Sequence, residues 1–293
     1  MKTTRIGLAL LATALLVSAC GRLSDDGGTT GSSGGGNGID HPTGADQLVL
    51  RVEYQGGFVP YEYTLKRVPG WSLYGDGTVI VEGPVIEIYP GPAMPTLLAF
   101  TLTEDAVQTI LEAARDAGLM DGDASYGYPC IADAPDTVFT VTAGGTTSVV
   151  SAYALEFTDP AMNDACPDVD TEAREKLLEF SQIIGDLQSW LPEGSIGAEQ
   201  PYDPTEMRVF VLPYQGEPDL PQGETEWPLS EPLVAFGEPV ADGNEARCGV
   251  VSGDDLAELL PLAQQANELT PWTSGGEQYR LIFRPLLPDE HTC

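Results

Sequence analysis

Four cysteines, Cys130, Cys166, Cys248 and Cys293, stand in the part of the chain with the composition of a globular domain. Joined in pairs, they would hold the backbone together at fixed points and narrow every topology open to it. An even number in an exported chain reads as two disulfides, and four cysteines allow three pairings. Cys130–Cys166 with Cys248–Cys293 keeps each bridge within one half of the chain and holds position 293, where a free end would fray. Each bridge would close a loop of roughly 36–45 residues, worth about 3–4 kcal/mol in the chain-entropy picture. Zinc is the rival use of these thiols. No C-x-x-C pair occurs, and His291 lacks a partner at ligand spacing.

Export is read from residues 1–20. Lys2 and Arg5 precede an apolar run, Ile6 to Val17, broken by Gly7 and Thr13. That run is too short for a hydrocarbon core, which needs about twenty residues. It closes on Leu16-Val17-Ser18-Ala19-Cys20, which resembles the lipobox of bacterial lipoproteins. The resemblance implies cleavage after Ala19 and a diacylglyceryl group on the Cys20 thiol. An ordinary secretory signal with an incidental cysteine is the alternative. Two acyl chains anchor stably where one binds marginally. The expected address is the outer face of the cell membrane, extracytoplasmic, with the membrane as partner through the lipid. Residues 27–38, GGTTGSSGGGNG, then read as flexible coil. Residues 20–45 are thus taken as lipidated cysteine and tether, with a reach of about 25–30 Å. His41 reads as a solvated tether residue.

Charge excludes several function classes. Thirteen Lys and Arg face forty-five Asp and Glu, for a net charge of -32, yet only 20% of residues are charged. The chain is short of cations rather than crowded with acids. Nucleic-acid binding and adhesion to anionic lipid through a basic patch are disfavoured, because both rest on Lys and Arg. An acidic surface suits a cationic peptide, a divalent ion or an envelope protein as partner. Hydrophobic residues at 42% argue for a packed core.

From Asp46 the pattern is that of an α+β fold: antiparallel sheets with hairpins and a few amphipathic helices. Leu48–Val52 and the alternating Tyr61–Leu65 read as strands. Trp71–Tyr74 and Thr78–Val81 flank Gly75-Asp76-Gly77 as a hairpin. Short strands are expected at Val85–Tyr89 and Thr96–Thr101. A helix begins at Thr103, with Val107, Ile110, Leu111, Ala114 and Ala117 on one stripe and Gly118 at its end. Thr137–Thr142 and Thr146–Leu155 form a second hairpin. A second helix is expected from about Thr171 to Leu191, stopped by Pro192.

After a link at Glu193–Pro204 the pattern partly restarts. Tyr54-Gln55-Gly56 recurs as Tyr214-Gln215-Gly216, and the helix stripe recurs as Leu256, Leu259, Leu260, Ala263 and Ala266, with Pro261 expected to kink or split that helix. The recurrence suggests two related units, 46–198 and a smaller 199–293; two helices of common pattern are the alternative.

No nucleophile elbow, P-loop, dinucleotide fingerprint or zinc-helix motif is found. No residue is therefore assigned a catalytic, cofactor-binding or metal-binding role, and no cofactor is expected. Carboxylate pairs such as Asp133 with Asp136, or Asp289 with Glu290, are the raw material for a hydrolase of cell-wall glycan or peptide. Asp121, Asp123 and Asp133 would be the ligands of a loose calcium site, since the EF-hand spacing fails. Asp159, Asp164, Asp168 and Asp170 read as turn residues before a helix. Trp71, Trp190, Trp227 and Trp272 read as packing, with ligand stacking by an exposed Trp227 or Trp272 as the weaker option.

Gly70-Trp71-Ser72-Leu73-Tyr74-Gly75-Asp76-Gly77-Thr78-Val79-Ile80 and Arg284-Pro285-Leu286-Leu287-Pro288-Asp289-Glu290 are similar to segments of uncharacterised lipoproteins of high-GC Gram-positive bacteria. The resemblance implies no activity. The expected role is a non-enzymatic binding or envelope-maintenance module.

Overall fold

A computed structural model describes residues 38–157, 166, 169–241 and 245–293. The signal segment, Cys20 and the tether to residue 37 lie outside the described residues, as do Asp159, Asp164 and Asp168. The fold is α+β, with two mostly antiparallel sheets. In the first, eight strands lie in the order β5-β7-β6-β1-β2-β3-β4-β8. They are β1 (Leu48–Gly56), β2 (Trp71–Tyr74), β3 (Thr78–Glu82), β4 (Leu97–Thr101), β5 (Ala124–Tyr126), β6 (Pro135–Ala143), β7 (Thr146–Tyr153) and β8 (Gln200–Pro201). In the second, six strands run β10-β13-β14-β9-β12-β11. These are β9 (Glu206–Pro213), β10 (Thr225–Glu226), β11 (Glu238–Pro239), β12 (Arg247–Ser252), β13 (Trp272–Ser274) and β14 (Glu277–Pro285). Among the described residues only the pairs β5 with β7 and β10 with β13 are parallel.

Both hairpins expected from sequence form, and their turns need residues that tolerate positive φ: Gly77 at 83° and Gly144 and Gly145 at 58° and 76°. The helix expected at Thr103 is α2 (Glu104–Asp116). Thr103 accepts from the Ala106 amide, and Glu104 and Asp105 occupy the first turn. It ends in a Schellman motif: Leu119 N–H reaches the Ala114 carbonyl and Gly118 N–H that of Arg115. Its stripe, Val107, Ile110, Leu111 and Ala114, packs on β1, β6 and β7 together with Leu177, Phe180 and Ile184 of α3 (Thr171–Gly185).

Several expectations are corrected. Tyr61–Leu65 is helical, as α1 (Tyr61–Lys66). Its alternation mimics a strand, but Tyr61 and Leu65 stand four apart on one face and pack against Phe210, Leu212 and Ile282 of the second sheet. Packing across the chain overrides the local pattern. Val85–Tyr89 forms no strand; Val85, Ile86, Ile88 and Tyr89 are exposed, in a segment broken by Pro84 and Pro90. The helix expected to run to Leu191 breaks at Asp186, whose φ of -142° leaves the helical region and whose side chain caps α4 (Leu187–Trp190). The buried face continues across the break through Leu187 and Leu191. Pro261 does not split α5 (Gly253–Gln265), where it sits on the exposed side while Leu256, Leu259 and Ala263 anchor both ends.

Residues 38–45 are part of the fold. The Ile39 amide and carbonyl both bond to Gln108 of α2, and His41, its side chain 6% exposed, pairs with Glu104 at 3.1 Å. Trp227 and Trp272 are buried rather than exposed, edge-on to each other and to Phe236 and Phe283. Both rings are engaged with one another and with these phenylalanines, which is the packing role.

Two disulfides join Cys130 to Cys166 and Cys248 to Cys293. They suggest an oxidising, extracytoplasmic environment. No helix among the described residues is long and apolar enough to cross a membrane.

The sheets are joined by the segment after β14. Leu287 enters a cluster with Val68, Tyr74, Ile80, Leu97 and Ala99 of the first sheet. Asp289 accepts from Arg51 at 2.7 Å and from the Tyr74 hydroxyl at 2.8 Å. Glu290 takes both Nη groups of Arg284 at 2.7 Å, and the Tyr202 hydroxyl donates to the Leu286 carbonyl. Burial alone would raise both carboxyls. Arg51 with Tyr74 outweighs it at Asp289, and Arg284 with the Leu287 amide does so at Glu290, so both fall below the usual carboxylate range. Burial and the two acids push the Tyr202 hydroxyl up to about 12.

A carboxylate whose folded pKa is depressed stabilises the fold above its unfolded pKa, about 4. That stability is lost as pH falls through the folded pKa. Urea unfolding is thus expected to show stability dropping below about pH 4. Asp289→Asn, which strands the Arg51 charge, should cost about 3 kcal/mol at pH 7 and flatten the acid limb.

Candidate functional site

The break between α3 and α4 opens a cleft over the first sheet. Val52, Trp71 and Val81 lie opposite one another on β1, β2 and β3, so their side chains share one face. Phe100 of β4 and Tyr54 of β1 extend that face. Helix α3 covers it as far as Gly185; there the chain turns, and a cleft of about 480 Å³ remains between the sheet, Ser181–Gln188 and the loop at Ile196–Glu199. Gly197 lets that loop approach, since a Cβ there would meet Thr101 Oγ1 at 2.5 Å.

The cleft combines an aromatic wall with acids. Trp71 is 5% exposed and its Nε1 has no hydrogen-bond partner among the described residues, an unmet donor worth about 1–3 kcal/mol. Asp186 and Glu199 line the same space, whereas Glu82, next to Val81 on β3 and opposite Leu97, turns its side chain to the other face of the sheet. Burial pushes the Glu82 carboxyl up, with Lys66 acting against it. Asp186 is committed to the Ser189 amide at 3.3 Å as the α4 cap. Tyr54 donates to Glu156 at 3.0 Å, and burial followed by the Glu156 charge raises its hydroxyl. A cavity of this size with an apolar wall and few polar groups has the form of a small-ligand site. A larger hollow of about 810 Å³ near Trp227 and Gly275-Gly276 is wide and polar, and Gln278 bridges it to Glu224 at 2.6 Å.

The residues singled out by sequence are distributed differently. Asp289 and Glu290 are consumed by ion pairs, and both carboxyls are lowered, whereas a general acid needs a raised one. Asp133 and Asp136 line none of the cavities described here. Asp121, Asp123 and Asp133 are not gathered: among the described residues no group of three His, Cys, Asp or Glu is placed to hold a metal ion. Asp123 instead accepts from the Val149 amide at 2.8 Å. Asp170 caps α3 through the Ala173 amide. His291 contacts Glu206 at 3.0 Å. Trp71, read as packing, is both packed and a wall of the cleft.

Sequence reasoning missed Glu199 and the break at Asp186. Gly185-Asp186 inside a helical pattern is the one signal that could have marked it. No family model matches the chain, and no curated protein or solved structure matches it.

Proposed function

We propose that the chain is a lipid-anchored, extracytoplasmic binding module, held through Cys20, whose cleft over Trp71 takes a cationic, partly apolar group such as the basic side chain of a peptide or envelope protein. One observation carries the reading: an aromatic wall of Tyr54, Trp71 and Phe100 beside Glu199 in a single cleft. Aromatic faces attract cations, and carboxylates complete the pairing. The net charge of -32 would steer a cation toward the protein. The disulfides and the sequence Leu16–Cys20 support the placement outside the cytoplasm.

Two experiments test it. Radiolabelled palmitate should incorporate into the full chain and fail to incorporate into Cys20→Ala, which should leave the detergent phase on partitioning. Label on the variant, or a cytosolic wild type, defeats the anchor. In calorimetry, the peptide Lys-Leu-Lys should bind, and Glu199→Gln should weaken it about tenfold, the effect of losing roughly 1.4 kcal/mol. Binding that ignores this substitution defeats the cleft.

A further inference from the structure

Three of the eight arginines between Gly38 and Cys293 line one cavity of about 320 Å³: Arg67, Arg208 and Arg284. It lies between β1, the end of α1, and strands β9 and β14. Such a grouping is costly in a chain with thirteen cations against forty-five acids. Arg208 and Arg284 stand directly opposite each other on antiparallel strands, a placement that like charges disfavour.

The three charges are not treated alike. Arg284 is neutralised by both oxygens of Glu290, and its Nε donates to the Arg67 carbonyl at 2.8 Å. Arg208 donates through Nε to the Thr292 carbonyl at 2.9 Å. Arg67 donates through Nη1 to the carbonyls of Tyr54 and Gly56 at 2.9 and 3.1 Å, with its guanidinium 5.1 Å from the Tyr63 ring centroid. Among the described residues neither Arg67 nor Arg208 has a carboxylate within ion-pair distance. Carbonyls orient a guanidinium without cancelling its charge. Burial and the charge of Arg284 lower the Arg208 pKa and Glu290 only partly offsets them, so an anion beside it would relieve a repulsion already present. One acid, Glu53, lines the same cavity and opposes an anion there; it accepts from Gln55 at 2.9 Å.

We propose that this cavity binds an oxyanion, the phosphate or carboxylate group of a small ligand, between the guanidinium groups of Arg67 and Arg208. Planar guanidinium forks match both kinds of group with paired N–H donors. The site is separate from the cleft over Trp71, except that Tyr54 borders both, and it does not depend on the function proposed for that cleft.

The test is calorimetric titration of the full chain with inorganic phosphate and, separately, with acetate. At least one should bind at a single site with a Kd of about 1 mM or tighter. Arg67→Gln and Arg208→Gln should each weaken it about tenfold. Glu53→Gln, which disturbs no contact between the sheets, should tighten it severalfold, so the proposal stays open to refutation even if an arginine variant fails to fold. Binding of phosphate alone assigns a phosphate ligand, and binding of acetate alone a carboxylate. No saturable binding of either anion, or binding unchanged in all three variants, overturns the proposal.

Discussion

The ion pair between Arg51 and Asp289 spans 238 residues and fastens the two sheets to each other. Tyr74 completes it from the neighbouring strand, and the Arg284–Glu290 pair holds the same tail from the second sheet. Each partner is largely withdrawn from water, so removing one leaves a charge that the surroundings cannot solvate. Such pairs add little net stability compared with apolar packing. Their contribution is positional: a tail carrying Asp289 and Glu290 fits one register against Arg51 and Arg284. Leu287, seated among Val68, Ile80 and Leu97, supplies the apolar part of the same joint.

Scarcity of cations gives this joint its weight. Arg174 is 6% exposed, donates to the carbonyls of Tyr126, Tyr153 and Ala154, and lies 4.9 Å from the Tyr128 ring centroid. Arg247 binds three successive carbonyls at Ala235–Gly237. These side chains close irregular backbone that strands and helices leave unpaired. The arginines are largely spent inside, and the acids are left to define the surface.

What was legible in the chain was local. Helix α2 carried its cap, its stripe and its terminal glycine in consecutive residues, and the two hairpins carried theirs. Tyr61–Leu65 misled because a five-residue alternation fits a strand and a helical turn alike; the second sheet, far along the chain, decides between them. The burial of Trp227 and Trp272 likewise depends on Phe236 and Phe283, which no local pattern connects to them. The candidate cleft was hidden for a related reason. It is created by the interruption at Gly185-Asp186, and its acid at position 199 meets Trp71 only through the sheet. The segments Gly70–Ile80 and Arg284–Glu290, singled out on resemblance alone, turn out to touch through Tyr74 and Asp289.

Both sheets finish in very short strands: β5 has three residues, and β8, β10 and β11 have two each. An outermost strand of that length exposes too few free N–H and C=O groups for a foreign chain to zip onto. A foreign chain therefore finds at most three consecutive residues to pair with on any outermost strand.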